Sequence, residues 1–381
     1  MNRIKKKILL LHSSNDLYGA SKIFLQIVQI LSNQGYEIHV LLPSKGPMDD
    51  LLENKINLNY HSLGVLRKKY LNPLGLINRI LTNLKAIKFL SSYIKNNEIN
   101  LVYTNTSPIL AGGIAAQKNK IPSLFHIHEI PVGNKFYELF SGQMINKYSN
   151  RIITVSNSVR NHWIKYVNEN KIERIYNGIV FEKNQLFKRI EKDDTDYVIT
   201  SVSRLIPYKG HNYLIDIAEE LLKKSQKFKF WIIGDTLKSY SNYERRLKKR
   251  VTELGLSNRI KFLGFRNDIS NVLEQSNLFI HTAISPDPLP TVLFESLYNN
   301  LPTVATNLGG AVEILDNGNN GLLIPYNDSK KAANLISDYC SNNKLQKNHL
   351  DNSKKNFKIN FSSELFKKNI LKEVNMLLLN E

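Results

Sequence analysis

The chain holds 381 residues, 42% of them hydrophobic, with one cysteine and a formal net charge of +19. That length and apolar content support a large core and normally two domains. The lone Cys340 excludes intrachain disulfides and any multi-cysteine metal site and suits a reducing, cytosolic setting. The charge is lopsided: residues 1–190 carry 26 Lys and Arg against 11 Asp and Glu, whereas residues 191–381 carry 26 against 22. A basic surface on the first half follows, with nucleic acid, anionic lipid or a phosphorylated substrate as candidate partners.

Residues 1–12 begin like a signal peptide, but the apolar run is too short and no small-residue cleavage site follows, so 7–12 reads as a buried first strand. A helix over 20–31 places Ile23, Phe24, Ile27, Ile30 and Leu31 on one face. A strand over 37–42 follows. Segment 65–95 is amphipathic and basic; it holds Arg67, Lys68, Lys69, Arg79, Lys85, Lys88 and Lys95 and no acid. Such a segment suits an anionic membrane surface, and equally a helix with one buried and one solvated face. Strands are expected over 101–104, 123–128 and 151–155, separated by helix-length stretches. The pattern breaks at a polar, charged stretch over 181–196, then restarts with strands over 197–202, 229–233, 260–263, 278–281 and 303–305 and a closing helix over 362–379. Alternation of this kind means parallel sheets covered by helices on both faces. Two doubly wound Rossmann-like domains joined near residue 185 are expected, with ligands at the carboxyl ends of the strands where the sheets face each other. No apolar stretch approaches the length of a membrane span.

Most stretches that stand out chemically follow expected strands. Asn15 to Ser21 opens the first helix, and Gly19 there permits close approach of backbone to a ligand, although a simple strand-to-helix turn would also choose glycine. The dinucleotide fingerprint G-x-G-x-x-G is absent, which counts against a dehydrogenase. His126 and His128, two apart on a strand, project to the same side. No further ligand lies nearby in sequence, which disfavours zinc, and a core role stays open for either. Arg204 and Lys209, five apart on one loop, offer a guanidinium fork and a point charge suited to a diphosphate; alone, they also read as solvated loop cations.

Asp287 and Glu295 carry the most information. The first sits in a proline-rich loop and the second one turn inside the following helix. Such a loop aims the N–H groups near Thr291 and Val292, and a positive dipole, at an anion. Glu295 lies between Phe294 and Leu297, where an unpaired carboxylate is costly to bury. A pair of ribose hydroxyls would satisfy it, as the helix dipole alone could.

The Asp287-x7-Glu295 stretch resembles the acidic signature of retaining glycosyltransferases of family 4, in which an acid, seven residues and a glutamate precede a helix. The family usually has glutamate where this chain has Asp287. The stretch Ser201 to Gly210 is similar to the family's Gly-Arg-Leu…Lys-Gly motif, with Ser203 for the glycine, and Tyr18 replaces the first glycine of its glycine loop. Stretches 262–268, 307–313 and 318–325 also match. The resemblance spans nearly the whole chain and is most specific over 197–326.

The resemblance implies the GT-B fold, with an acceptor-binding domain over 1–185, a donor-binding domain over 186–361, and the C-terminal helix 362–381 packing back on the first. It implies a nucleotide-sugar donor, UDP-linked ahead of GDP-linked, in the cleft between domains. Its pyrophosphate would be clamped by Arg204 and Lys209 and faced by Gly19, Thr291 and Val292, with Glu295 on the ribose and Asp287 on the sugar. His128 would lie near donor sugar and acceptor, with His126 as its neighbour, and Phe265 and Arg266 would border the base. No cofactor and no metal are expected, the cationic clamp taking the metal's place. A lipid-linked glycan acceptor in surface-polysaccharide synthesis is implied. Arg67, Lys68 and Lys69 are then the expected basic patch for a membrane at the inner face of the cell. Nucleic acid is disfavoured, because no aromatic-rich basic strand stands out. A same-fold epimerase or phosphorylase and a non-catalytic binding protein stand as alternatives.

Overall fold

A computed structural model of the chain describes residues 5–52, 56–65, 73–131, 135–178, 189–236 and 240–379. The chain divides into two compact units, Met1–Gly178 with Phe361–Glu381, and Ile179–Asn360. The expected junction near residue 185 lies outside the described residues, as do Arg67, Lys68 and Lys69.

Among the described residues of the first unit the strands are β1 Lys7–Leu11, β2 Glu37–Leu42, β3 Asn57–Tyr60, β4 Leu101–Thr104, β5 Ser123–Ile127, β6 Arg151–Thr154 and β7 Ile172–Arg174. They form one sheet in the order β3-β2-β1-β4-β5-β6-β7, and every pairing is parallel. The helices α1 Gly19–Asn33, α2 Pro73–Asn96, α3 Ala111–Lys118, α4 Lys135–Tyr148 and α5 Asn157–Trp163 connect them. Strand alternation sorts the core. Ile8 and Leu10 of β1 join Phe24, Ile27 and Leu31 of α1 on one face, while Leu9 and Leu11 join Ile87, Leu90 and Ile94 of α2 on the other. Helices α2, α3 and α4 pack side by side. Two strands of this unit escaped the sequence reading: β3 is a polar edge strand and β7 spans three residues, too few to set a period.

In the second unit the described strands are β8 Tyr197–Val202, β9 Phe228–Ile233, β10 Ile260–Gly264, β11 Leu278–His281, β12 Thr303–Thr306 and β13 Leu322–Ile324. The sheet order is β10-β9-β8-β11-β12-β13, again parallel throughout. The helices are α6 His211–Lys224, α7 Ser241–Glu253, α8 Ile269–Glu274, α9 Thr291–Tyr298, α10 Gly310–Ile314, α11 Ser329–Cys340 and α12 Asn343–Asn360. Ile199, Phe230, Ile232, Ile280 and Val304 meet the apolar faces of α6, α7 and α11.

Helix α13, Ser363–Leu379, belongs to the first unit. Its Phe366, Ile370, Val374 and Leu378 enter the α1 side of that core, and Arg151 Nε donates to Glu373 Oε2 at 2.7 Å with the carboxylate almost wholly buried. In each sheet the strand order reverses once, between β1 and β4 and between β8 and β11. Those two switch points are where ligands of open parallel sheets bind.

Candidate active site

At the switch point of the second unit the loop after β8 meets the loop after β11. Lys209 follows β8 on a short 3-10 turn whose last residue precedes Gly210 at φ +74°. A Cβ at Gly210 would stand 1.8 Å from the Thr282 carbonyl oxygen, so only glycine lets the two loops touch. Backbone bonds lock the contact: Ile284 N–H donates to the Tyr208 carbonyl at 3.0 Å, and Thr282 Oγ1 to that of Lys209 at 3.3 Å.

This contact brings Lys209 Nζ into an ion pair with Asp287 Oδ2. His281 Nε2, at the end of β11, lies 3.4 Å from the same oxygen. Burial pushes the Asp287 carboxyl up, yet the Lys209 ammonium and the His281 ring outweigh it and hold the group well below the usual carboxylate range. Burial pulls His281 down against the raising effect of Asp287, and the Lys209 charge adds to the lowering. The Asp287 backbone is fixed as well. Its carbonyl accepts from Gly310 N–H at 2.7 Å, and a Cβ at Gly309, φ +60°, would stand 2.4 Å from that oxygen. The glycine pair therefore seats the Asp287 loop.

The other expected donor residues are close in sequence to this cluster. Arg204 is partly exposed on the β8 loop, and its charge reaches Tyr208. Helix α9 starts at Thr291 behind an extended Pro290 with no side-chain cap, and Val292 and Glu295 in its first turns are partly exposed. Pro290 itself offers no side-chain acceptor to the N–H groups at that end. Phe265 is two-thirds exposed, while the Arg266 guanidinium is engaged by Asp268, with Nε to Oδ1 at 2.8 Å. The chain contains one Asp-x-Asp, Asp194-Thr-Asp196, a pattern that binds metal in other glycosyltransferases. Asp196 is buried and bound to Lys229 at 2.7 Å and Arg259 at 3.0 Å, a structural ion cluster.

At the switch point of the first unit, three neighbouring strands each end in a polar side chain. His12 follows β1, Asn105 follows β4 and His128 follows β5. His128 Nε2 lies 3.0 Å from Asn105 Oδ1, and Asn105 Nδ2 lies 3.2 Å from His12 Nδ1. His12 Nε2 continues to Ser21 Oγ at 3.0 Å, which donates to Asp16 Oδ1 at 2.6 Å. Gly19 opens α1 beside these two. His126 is fully buried, with Nδ1 2.9 Å from Tyr103 Oη and its ring 4.3 Å from that of His128. Burial lowers His12 to about 4 despite Asp16, and His126 to about 3. It also takes His128 well below the ordinary value, with help from the two neighbouring histidines. Glu129 Oε2 accepts from Ser107 N–H at 3.1 Å, from Ser107 Oγ at 3.0 Å and from His128 N–H at 3.2 Å, and Thr106 Oγ1 donates to Oε1. Burial raises this carboxyl against those hydrogen bonds.

Sequence reading thus missed His12, Asn105, Glu129 and His281. Each is a polar residue at or just past a strand end, and that position was the signal available. It also did not foresee that Lys209, expected at the donor phosphates, pairs with Asp287, expected at the donor sugar.

Comparison with known proteins agrees with these two folds. The Glycosyltransferase Family 4 profile matches residues 18–183, and the profile for glycosyl transferases group 1 matches residues 182–356. An Escherichia coli UDP-Gal:alpha-D-GlcNAc-diphosphoundecaprenol alpha-1,3-galactosyltransferase is 25% identical over 365 residues, covering 86% of this chain and 89% of that protein. The lipopolysaccharide core biosynthesis glycosyltransferase LpsE of Rhizobium meliloti is 28% identical over 39% of this chain and 41% of its own length. Among solved structures, Anabaena HepE in complex with UDP and glucose superposes with a TM-score of 0.79 at 25% identity, covering 97% of this chain and 99% of that one. A glycosyltransferase from Rickettsia africae superposes at 0.80 with 22% identity, over 99% and 100%. With one profile on each unit and two Rossmann-like folds to carry them, the chain belongs to the family 4 glycosyltransferases of GT-B architecture.

Proposed function

We propose that the chain transfers one sugar, with retention of configuration and without a metal, from a UDP-sugar to a lipid-linked glycan acceptor in surface-polysaccharide synthesis. The observation that carries this reading is the Lys209–Asp287–His281 cluster, held against the β8 loop at the second unit's switch point. The second unit would hold the donor: diphosphate on Arg204, Lys209 and the N–H groups of Thr291 and Val292, ribose on Glu295, sugar on Asp287. The acceptor oxygen bonds to the anomeric carbon as the bond from that carbon to the diphosphate oxygen breaks. The acceptor proton passes to the departing phosphate oxygen on the same face. Negative charge grows on the diphosphate during this step, so fixed cations there stabilise the transition state more than the ground state. The first unit would bind the acceptor, with Gly19 offered to the donor phosphates and His128 to the reacting sugar. HepE is named in complex with UDP-glucose, and the Escherichia coli relative as acting on a diphosphoundecaprenol-linked sugar with UDP-Gal. Both support this choice of donor class and acceptor.

Association with the inner face of the membrane is part of the same proposal. Ile77, Ile80, Leu81 and Leu84 of α2 are each more than half exposed, at i, i+3, i+4 and i+7. That spacing makes one apolar stripe facing away from the core. Helix α4, on the same side of the sheet, exposes Phe136, Leu139 and Phe140. Lys85, Lys88, Lys135 and Lys147 are exposed on the two helices, and their one acid, Glu138, is buried. An apolar stripe edged by cations fits an anionic lipid surface. No helix among the described residues is long and apolar enough to cross a membrane.

The test is calorimetry with UDP and GDP, followed by product analysis with a UDP-sugar and an undecaprenyl-diphosphate-linked acceptor, with and without EDTA. A new α-linkage, formed in EDTA and preceded by UDP binding, is expected. Failure to bind any nucleotide, or an altered donor without transfer, would overturn the reading.

A further inference from the structure

The polar chain in the first unit has a direction that its end groups impose. Asn105 Nδ2 lies 3.4 Å from the Ala20 carbonyl, which can only accept, so the amide's N–H₂ side faces His12 and its oxygen faces His128. His12 Nδ1 therefore accepts, and its proton sits on Nε2, donated to Ser21 Oγ, with Ser14 Oγ farther off at 3.5 Å. Ser21 in turn donates to the acceptor-only carboxylate of Asp16. The stacked contact of His12 with Phe24, 4.8 Å between ring centroids, holds the ring in this plane. With Oδ1 as its partner, His128 Nε2 must carry a proton. The hydrogen bond of the His128 ring is made at Nε2, which leaves Nδ1 as its other polar atom.

We propose that Asn105, His12, Ser21 and Asp16 form a positioning relay that fixes His128 as the Nε2–H tautomer and leaves Nδ1 as a hydrogen-bond acceptor for a substrate hydroxyl. The relay crosses the switch point from the first turn of α1 to the end of β5, so the glycine loop and the histidine are oriented together. A neutral histidine in a fixed tautomer accepts from an O–H group and rejects a substrate atom that can only accept. The relay therefore selects for a hydroxyl at this position, on the donor sugar or on the acceptor. This inference rests on the proposed role of His128 at the reacting sugar.

Two-bond ¹H–¹⁵N correlation of the full chain labelled with [¹⁵N]histidine reads the tautomers directly. The expected spectrum shows His128 protonated on Nε2 and bare on Nδ1, and His12 likewise. Asn105→Leu removes both partners, so His128 should gain an Nδ1–H population and kcat should fall about tenfold to a hundredfold, the usual cost of losing an orienting partner. Asn105→Asp keeps an acceptor for both rings. His128 should stay Nε2–H, the His12 proton should move to Nδ1, and kcat should recover towards the parent. A parent His128 protonated on Nδ1, or an Asn105→Leu variant with unchanged spectrum and kcat, would overturn the relay. His128→Gln separates the two readings: unchanged turnover there removes His128 from the reaction, whereas lost turnover with a silent Asn105→Leu removes the relay alone.

Discussion

Removing the Lys209 side chain should damage the second unit's stability as well as its chemistry. The Lys209 and Asp287 side chains are only 20% and 12% exposed, and the loop carrying Asp287 is pinned by backbone contacts to Gly309 and Gly310. In Lys209→Ala the carboxylate cannot swing out to water, so it stays buried without its counter-charge. Loss of one partner of a buried pair costs about 3–5 kcal/mol. For a unit of this size, that corresponds to a fall of roughly 6–20 °C in melting temperature. Lys209→Ala with Asp287→Ala should recover most of the loss, because no buried charge remains. The sign with pH is fixed by the direction of the Asp287 shift. In the parent the carboxyl is depressed, so the pair's stabilisation is present above the unfolded value of about 3.9 and fades as pH falls through the folded one. In Lys209→Ala the main depressing charge is gone and burial raises the group, so protonation relieves the strain. The gap between parent and variant should narrow from pH 7 towards pH 4. Urea unfolding across that range measures it. A single variant within about 1 kcal/mol of the parent at pH 7, or a deficit that grows on acidification, would refute the buried pair.

Arg204→Ala should lose on the order of 10²–10³ in turnover with UDP-sugar, the size of a lost transition-state donor. Glu295→Gln should weaken UDP binding about tenfold to a hundredfold in calorimetry, since a charged acceptor of hydrogen bonds becomes neutral. Arg151→Ala leaves Glu373 buried on α13 without its cation. It should cost about 3–5 kcal/mol in urea unfolding and expose α13 to protease. Leu81→Asp with Leu84→Asp changes exposed residues, so stability should stay within about 0.5 kcal/mol. Its sedimentation with anionic vesicles should fall at least tenfold, while turnover on a water-soluble acceptor is kept.

Alternating apolar strands and amphipathic helices made both parallel sheets readable from the sequence, because buried parallel strands leave continuous apolar runs such as Ile8 to Leu11. Three-residue strands such as β13 leave no period to detect. The donor-side residues were readable because the proline-rich loop and the α9 start are local features. The pairing of Lys209 with Asp287 was not, since it joins residues 78 apart through a glycine contact that only tertiary structure defines. The His12–Asn105–His128 chain was hidden for the same reason: its members come from three strands whose adjacency is a property of sheet order. Amphipathicity in α2 was visible, but whether its first half faced core or solvent was not. Ile87 and Leu90 are buried, whereas Ile80 and Leu84 of the same helix are exposed.

The docking of α13 on the first core means that this unit is made of two pieces of chain with a whole second unit between them. During translation, residues 1–178 must wait for residues 363–379 before the pocket beside Phe24 and Tyr103 is filled. At about 5–20 residues per second that interval is on the order of tens of seconds. The later unit is contiguous and complete first, so the nascent chain depends on protection of an open apolar groove in its earlier half until the closing helix arrives.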